Sequence, residues 1–434
     1  MPRNLVSCKK SSKGGNGLPF ANQHNGKLII EELDNGAKII GIEHEGIDTG
    51  ITIAFPWGAR HDQYIPHMLE HIVFQKRRHN KSPCADSRIE ELGGFFTGYT
   101  EDDKLVFSVL VIHANLRQAL EITKESLMNP PITERILRKE KRVIEGELQK
   151  RVSEPEYYLE ILRDKLILGE DHPLYSCQET IRGIRSLTAE RLREQQRRYL
   201  GARNMHIGLV GPNIKDSIQA AKEIMIDFPK KGRKIERFRL NEVKRYVRTS
   251  RRAGFEDCVT SITIPVPGYG LEERYTVEII ANLLAGTVEE HESRARLWQR
   301  IRDREGKMYH TRVDHAVYPA LGLLEINLEG ILPRHLNTVR DMMEEEIERL
   351  CTYAIGDRQL EGARNSLILN ELRSSRGKIE ETASQIVDFV MGGENPSYKN
   401  YVRGLMKVTP LDIISVAKKY FSAERRFIGI VKPA

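Results

Sequence analysis

The sequence predicts an α+β protein of two homologous domains, each a mostly antiparallel sheet flanked by helices, joined by a basic linker. Three observations carry that expectation. A chain of 434 residues is longer than a single hydrophobic core usually serves. Strand-like and helix-like runs recur in the same order in both halves, a repeat of pattern rather than of identity. Positive charge gathers in mid-chain: residues 229–252 hold eleven Lys or Arg and two Glu, against a net charge of +7 for the whole protein, so everything outside that stretch is slightly acidic. The expected limits are a disordered basic tail over 1–26, a first domain over 27–228, a linker over 229–248 and a second domain over 249–434.

The first half opens with short apolar or alternating runs at Leu28–Leu33, Ala37–Glu43 and Ile51–Phe55, with an Asp34-Asn35-Gly36 turn signal between the first two. A short helix containing Pro66 follows; proline is tolerated in a first turn, where its missing N–H has no intrahelical partner to lose. Next come a strand at Leu105–Ile112, a helix at Leu116–Met128 and a long charged helix over Thr133–Val152, with Thr133 as its N-cap. Asn204–Gly211 reads as a buried strand closing the half. The second half begins with strand Asp257–Val266 and helix Leu271–Leu284, then strands Tyr309–Val317 and Leu323–Glu329. Amphipathic helices over Arg334–Tyr353, Asp357–Arg373 and Lys378–Met391 precede a last strand at Arg426–Val431.

Composition narrows the class. Forty per cent hydrophobic and 30% charged residues describe an ordinary globular protein. No apolar run approaches the roughly 18 residues a membrane helix needs, and the first residues lack the apolar core of a secretory signal. A cytoplasmic location is expected, with organellar targeting left open. The five cysteines (Cys8, Cys84, Cys177, Cys258, Cys351) form no C-x-x-C pair, which argues against a cysteine zinc site and a disulfide framework. The basic stretch is either a solvated linker or an attractor of acidic partners. Confined to one segment, it does not make a nucleic-acid-binding face.

The residues that carry chemistry are His67-Met68-Leu69-Glu70-His71. Histidines four apart on a helix share a face and can hold one zinc ion between them. Glu70, beside the second of them, can reach the same ion and take a proton from bound water. A zinc hydrolase needs a third protein ligand, and the helix Thr133–Val152 offers Glu134, Glu140, Glu145 and Glu147. Glu140 and Glu147 are seven residues apart, two turns, and share a face. One can ligate the ion while the other holds a histidine's second nitrogen. Val143 and Ile144 give the helix an apolar edge that could dock on the core. The residues alone also allow a plain solvated face balanced by Lys139, Lys141 and Arg142.

Comparison with a known family separates these alternatives. GARHDQYIPHMLEHIVF resembles the zinc helix of the pitrilysin-like (M16) metallopeptidases, the inverzincins, and ELGGFFTGYTEDDKLVF (91–107) resembles the strand after it. EKRVIEGELQKR (140–151) is similar to that family's distal ligand motif, and the 76 residues from His71 to Glu147 match its spacing. The likeness continues through GEDHPLYSCQETIRGIRSLT (169–188) and ARNMHIGLVGPN (202–213). It ends in SRARLWQRIRDREGKMY (293–309). The resemblance implies His67, His71 and Glu147 as ligands of one Zn2+ per chain, Glu140 as the carboxylate behind a histidine, Glu70 as the base and Glu145 as solvated. It also implies Arg302 and Tyr309 as a substrate grip.

By the same resemblance the protein is a zinc endopeptidase that hydrolyses unfolded peptides or oligopeptides inside a chamber. The chamber forms in a homodimer, or in a heterodimer with a related M16 subunit. The alternative is a non-catalytic or partner-dependent subunit that mainly binds peptide; such relatives lose a ligand or the base, and this chain keeps both. Four departures stand out. Pro66 replaces the usual alanine and could delay the helix start. Gln75-Lys76 replaces Gly-Thr. Thr97 stands where an asparagine often binds substrate backbone. Residues 287–292 (TVEEHE) look inserted.

Overall fold

The computed structural model describes residues 28–62, 64–75, 83–168, 177–235, 246–252, 254–286, 294–317, 321–377, 379–393 and 398–434, without the side chains of 373–377 and 398. The expected tail, half of the linker (236–245), Lys76, residues 169–176 and the insertion at 287–292 lie outside them.

Each half is built on one sheet. The first contains β1 (Ile29–Glu32), β2 (Lys38–Glu43), β3 (Asp48–Phe55), β4 (Phe95–Thr100), β5 (Leu105–Ile112) and β6 (His206–Gly211), in the spatial order β1-β2-β6-β3-β5-β4. The second contains β7 (Tyr246–Arg252), β8 (Cys258–Val266), β9 (His310–Val317), β10 (Gly322–Ile331) and β11 (Phe427–Pro433), in the order β7-β11-β8-β10-β9. Setting β1 aside, the two orders are one topology. In both, the strand that closes the half (β6, β11) runs parallel to the outer neighbour (β2, β7) and antiparallel to the central strand (β3, β8). The fold is the two-domain α+β duplication that the recurring pattern announced.

The helices repeat too. α1 (Ile65–Val73) and α2 (Ala85–Glu91) follow β3, as α9 (Glu273–Ala285) and a π-helical turn at Trp298–Asp303 follow β8. α3 (Leu116–Met128) and α4 (Glu134–Arg151) follow β5, as α10 (Leu336–Thr352) and α11 (Asp357–Gly377) follow β10. Then come α5 (Pro155–Leu168), α6 (Cys177–Ser186) and α7 (Ala189–Tyr199) before β6, matched by α12 (Ile379–Met391), α13 (Tyr398–Lys407) and α14 (Pro410–Tyr420) before β11. One helix, α8 (Ile214–Met225), covers β2 and β6. No described helix is long and apolar enough to cross a membrane.

Two of these helices are exchanged. α12, from the second half, lies on β3 and β6 of the first sheet, where Ile379, Ala383, Ile386 and Val387 pack with Ile40, Ala54, Val106 and Val210. α5, from the first half, lies on β8 and β11 of the second, with Leu159 against Val259 and Val431. The α12 approach is close enough to need glycine beneath it. A Cβ on Gly50 would sit 2.7 Å from the Ile379 carbonyl oxygen, and one on Gly208 would sit 2.3 Å from that of Ala383. With this second cover, the residues of β3 from Thr49 to Phe55 are all buried, as expected for a strand packed on both faces.

Two expectations are corrected here. Residues 246–248, assigned to the linker, begin β7, which pairs in parallel with β11 from Tyr246↔Phe427 to Arg252↔Pro433. Its arginines disguised it: an edge strand tolerates charge, and charge there discourages pairing with another chain. Of the apolar edge proposed for α4, Ile144 is buried but Val143 is 41% exposed, because adjacent helical residues point about 100° apart.

Candidate metal centre and cleft

α1 begins at Ile65, so Pro66 falls in its first turn without delaying the helix. Met68, Leu69 and Ile72 are fully buried and fix the rotation of the helix against the sheet. That rotation leaves His67 and His71 together on the opposite face, their ring centroids 4.7 Å apart and their planes nearly perpendicular. α4 crosses this face. Its N-terminus is fixed by Thr133, whose side chain accepts the Ile136 N–H at 3.2 Å, and by burial of Ile136, Leu137 and Ile144. The seven-residue spacing then sets Glu140 and Glu147 on the two sides of the histidines.

The structure brings His67, His71 and Glu147 together. The Nε2 atoms of the two histidines face each other at 3.2 Å, and Glu147 Oε2 stands 3.6 Å from His67 Nε2 and 3.7 Å from His71 Nε2. Among the described residues no other trio of His, Cys, Asp or Glu converges so closely. The buried carboxylate of Glu140 accepts a hydrogen bond from His71 Nδ1 at 3.2 Å. That bond puts the His71 proton on Nδ1 and turns the lone pair of Nε2 toward the other two donors. Burial first, and then the neighbouring His71 and Arg151, push His67 down to about 4, so His67 is a neutral imidazole at pH 7.

These donors suit a zinc ion. Two imidazole nitrogens and a carboxylate oxygen are a common catalytic set, and ligand atoms in a tetrahedron with bonds of 2.0–2.2 Å stand roughly 3.3–3.6 Å apart. The three observed separations fall at or beside that range. Glu70 lies next to the trio, with its carboxyl raised above the usual range by burial, against the pull of the Thr100 hydroxyl and His71. Thr100 Oγ1 donates to Glu70 Oε2 at 2.6 Å. Glu145, expected to be solvated, lies at the surface, where it holds the exposed Arg185 through two hydrogen bonds of 2.9 and 3.1 Å. It takes no part in the cluster.

Two of the trio, His67 and Glu147, line a cavity of about 670 Å³ walled by both halves. His67, Thr100 and Glu147 line one side; Arg312, Asp314 and Ala316 of β9, with Glu325 and Asn327 of β10, line the other. Glu156, Glu160 and Asp164 of the exchanged helix α5 complete the wall. Eight carboxylates and three arginines face this space, and one of those arginines, Arg163, is already held by Asp164 and Glu325 at 2.9 and 2.8 Å. The cavity is therefore acidic.

Arg302 and Tyr309 come together, but not in that cavity wall. The Arg302 guanidinium donates to the Tyr309 carbonyl and stacks 4.0 Å from the Trp298 ring centroid and 5.2 Å from that of Tyr309. Tyr309 is 70% exposed. The pair sits at the start of β9, the edge strand whose later residues line the cavity. Thr97 lies on β4, the edge of the first sheet. Sequence reasoning missed Thr100 as a neighbour of Glu70, although it sits inside the quoted TGYT segment. It also missed the acidic α5, whose orientation no local signal reveals.

Comparison with known proteins agrees with the two-domain fold. Residues 50–168 match the model described as "Insulinase (Peptidase family M16)" and residues 186–367 the one described as "Peptidase M16 inactive domain". The chain belongs to the M16 peptidase family. Among relatives of this M16 protein, one from Rickettsia felis, named an uncharacterized zinc protease, is 22% identical over 91% of this chain and 95% of its own. The Bacillus subtilis uncharacterized zinc protease YmxG is 21% identical over 92% and 97%. A probable mitochondrial-processing peptidase subunit beta of Arabidopsis thaliana is 26% identical over 33% of this chain and 27% of that one. In fold, a protease from Helicobacter pylori superposes with a TM-score of 0.83 at 16% identity, covering 94% of this M16 chain and all of that one. The description "inactive domain" fits the second half, where α9 stands in the place of α1 and contains no histidine.

Proposed function

We propose that this M16 protein is a zinc-dependent endopeptidase acting on unfolded peptides or oligopeptides. The observation that carries the reading is the convergence of His67, His71 and Glu147, with Glu70 beside them, where His67 and Glu147 line a cavity shared by both halves. A zinc ion held by those three residues supplies a Lewis acid that makes water and the scissile carbonyl more reactive. Glu70 accepts the proton of the attacking water and passes it to the departing amine. Glu140 keeps His71 in the tautomer that leaves Nε2 free to ligate. The β4 edge offers main-chain hydrogen bonds to an extended peptide, which favours unfolded substrates and demands little of their side chains. The excess of carboxylates in the cavity draws peptides with basic side chains.

Arg302 and Tyr309, at the start of β9, grip the part of the peptide that runs beyond the cavity. Their position outside the wall favours a second reading, in which a partner subunit completes the chamber. That partner is a second copy of this chain or a related M16 subunit.

Glu70→Gln tests the reading. The variant is expected to keep about one zinc per chain and to lose cleavage of an unfolded peptide library, with chelator-treated wild type as the control. A variant that cuts as fast as wild type removes Glu70 from the mechanism. A wild type that never cuts, alone or with a related subunit, leaves a peptide-binding protein.

A further inference from the structure

From the seating of Glu70 on the strand beside it, we infer that Thr100 is a positioning residue for the base. The inference rests on the proposed role of Glu70. β4 presents alternate residues to opposite faces, as a strand must. Phe96, Gly98 and Thr100 face α1, while Tyr99 faces away and meets Ser384 of α12 with 2.7 Å between their hydroxyl oxygens. On the α1 side, the Phe96 ring packs 4.8 Å from that of Phe74. Gly98 leaves room for the stem of the base: a Cβ there would come within 3.1 Å of Glu70 Cγ and 2.9 Å of Phe74 Cε2. Two residues further along, Thr100 donates its hydroxyl proton to Glu70 Oε2 at 2.6 Å.

A glutamate carboxylate on three rotatable bonds has several orientations, and only some aim an oxygen at the reacting water. Gly98 lets the stem lie flat on the strand, and Thr100 ties down one oxygen. The second oxygen is left as the proton acceptor, in one direction rather than many. Misplacing a reacting group by about 1 Å can cost on the order of a hundredfold in rate, so a single hydroxyl can matter here without touching substrate.

The strand that carries Thr100 is itself anchored across the two halves. Immediately after it, Lys104 pairs with Asp388 of α12 and lies 3.2 Å from Glu101. Thr100 thus stands between the base and a contact that exists only when the second half covers the first sheet.

The test compares Thr100→Val, which keeps the shape and removes the donor, with Thr100→Ser, which keeps the donor. Thr100→Val is expected to lower kcat about tenfold or more while KM stays within about twofold. Its zinc content and thermal midpoint should match wild type, as should binding of a fluorescent peptide to the metal-free protein. Thr100→Ser is expected to recover most of kcat. Loss of zinc in Thr100→Val would make the residue a support of the metal site instead. A raised KM with unchanged kcat would make it a substrate contact, and a serine variant no better than valine would make it a filler of space; each overturns the inference. Glu70→Gln, run alongside, separates the failures. If it is inactive while Thr100→Val is fully active, only the positioning role is lost. If it is active, the role of Glu70 and the inference fall together.

Discussion

The two halves share one topology, yet among the described residues only the first gathers metal-type ligands, and the contrast lies in how each follows its central strand. After β3, the nine-residue α1 buries one face and leaves His67 and His71 half-exposed toward α4. After β8, the thirteen-residue α9 is buried more fully and packs with α11, α13 and α14. Its polar residues face inward: Arg274 donates to Glu278 at 3.1 Å, and Tyr401 donates to the same carboxylate at 2.7 Å. Glu371 of α11 lies nearby. The same pair of helices thus brings metal-type ligands together in one half and makes a buried ionic knot in the other. A duplicated fold supplies two frames, and side chains decide which becomes a site.

The sharpest way to break the comparison is to remove the ligand contributed by α4. Glu147→Gln is expected to abolish stoichiometric zinc and, with it, all cleavage, read by metal analysis after dialysis. A Glu371→Gln exchange in the matching helix of the second half should leave zinc untouched. If both variants lose metal equally, the two frames are not distinct in the way described.

The joint between the halves comes next. Lys104 is nearly buried, between Asp388 and Glu101. Lys104→Met strands those carboxylates and is expected to cost about 3–5 kcal/mol, read as a lower midpoint in chemical unfolding. Asp388→Asn should restore part of that loss in the double variant. An unchanged midpoint in Lys104→Met would mean the pair contributes nothing to holding α12 on the first sheet.

The smallest effect concerns the ionic knot. Burial, reinforced by Glu278 and only partly opposed by Arg274, raises Glu371 to about 7. A carboxyl raised in the folded state binds its proton more tightly there than in the unfolded chain. Its charge therefore destabilises the protein above pH 7, and the penalty fades as pH falls toward 4.5. Glu371→Gln should stabilise the protein at pH 8 by on the order of 1–3 kcal/mol and make no difference near pH 4. A difference that is the same at both pH values would exclude the titration as its cause.

Much of this was legible in the chain. Local signals placed α3 and β5 to the residue, and Thr133 marked the start of α4 because a cap is a short-range device. The zinc-type trio was legible because helical spacing fixes which side chains share a face, and the resemblance supplied the partner helix. Long-range pairings were not. The amphipathic stripe of α12 says that it packs, not that it packs on the other half, and the acids of α5 carry no mark of the cavity they face. The first three residues of β7, 246–248, were read as linker because the surrounding basic residues outweighed Tyr246 and Val247 in a reading by charge. The contact of Thr100 with Glu70 needs the register of β4 against α1, which neither segment encodes alone.

The exchange of α5 and α12 also bears on what can be cut. A chain severed between α8 and β7 would yield two fragments, each carrying the helix that belongs on the other's sheet. Neither could hide its own apolar face, yet each would hold the cover the other lacks. Such fragments are built to find one another, so the protein should survive a break in its backbone there more readily than the loss of either piece.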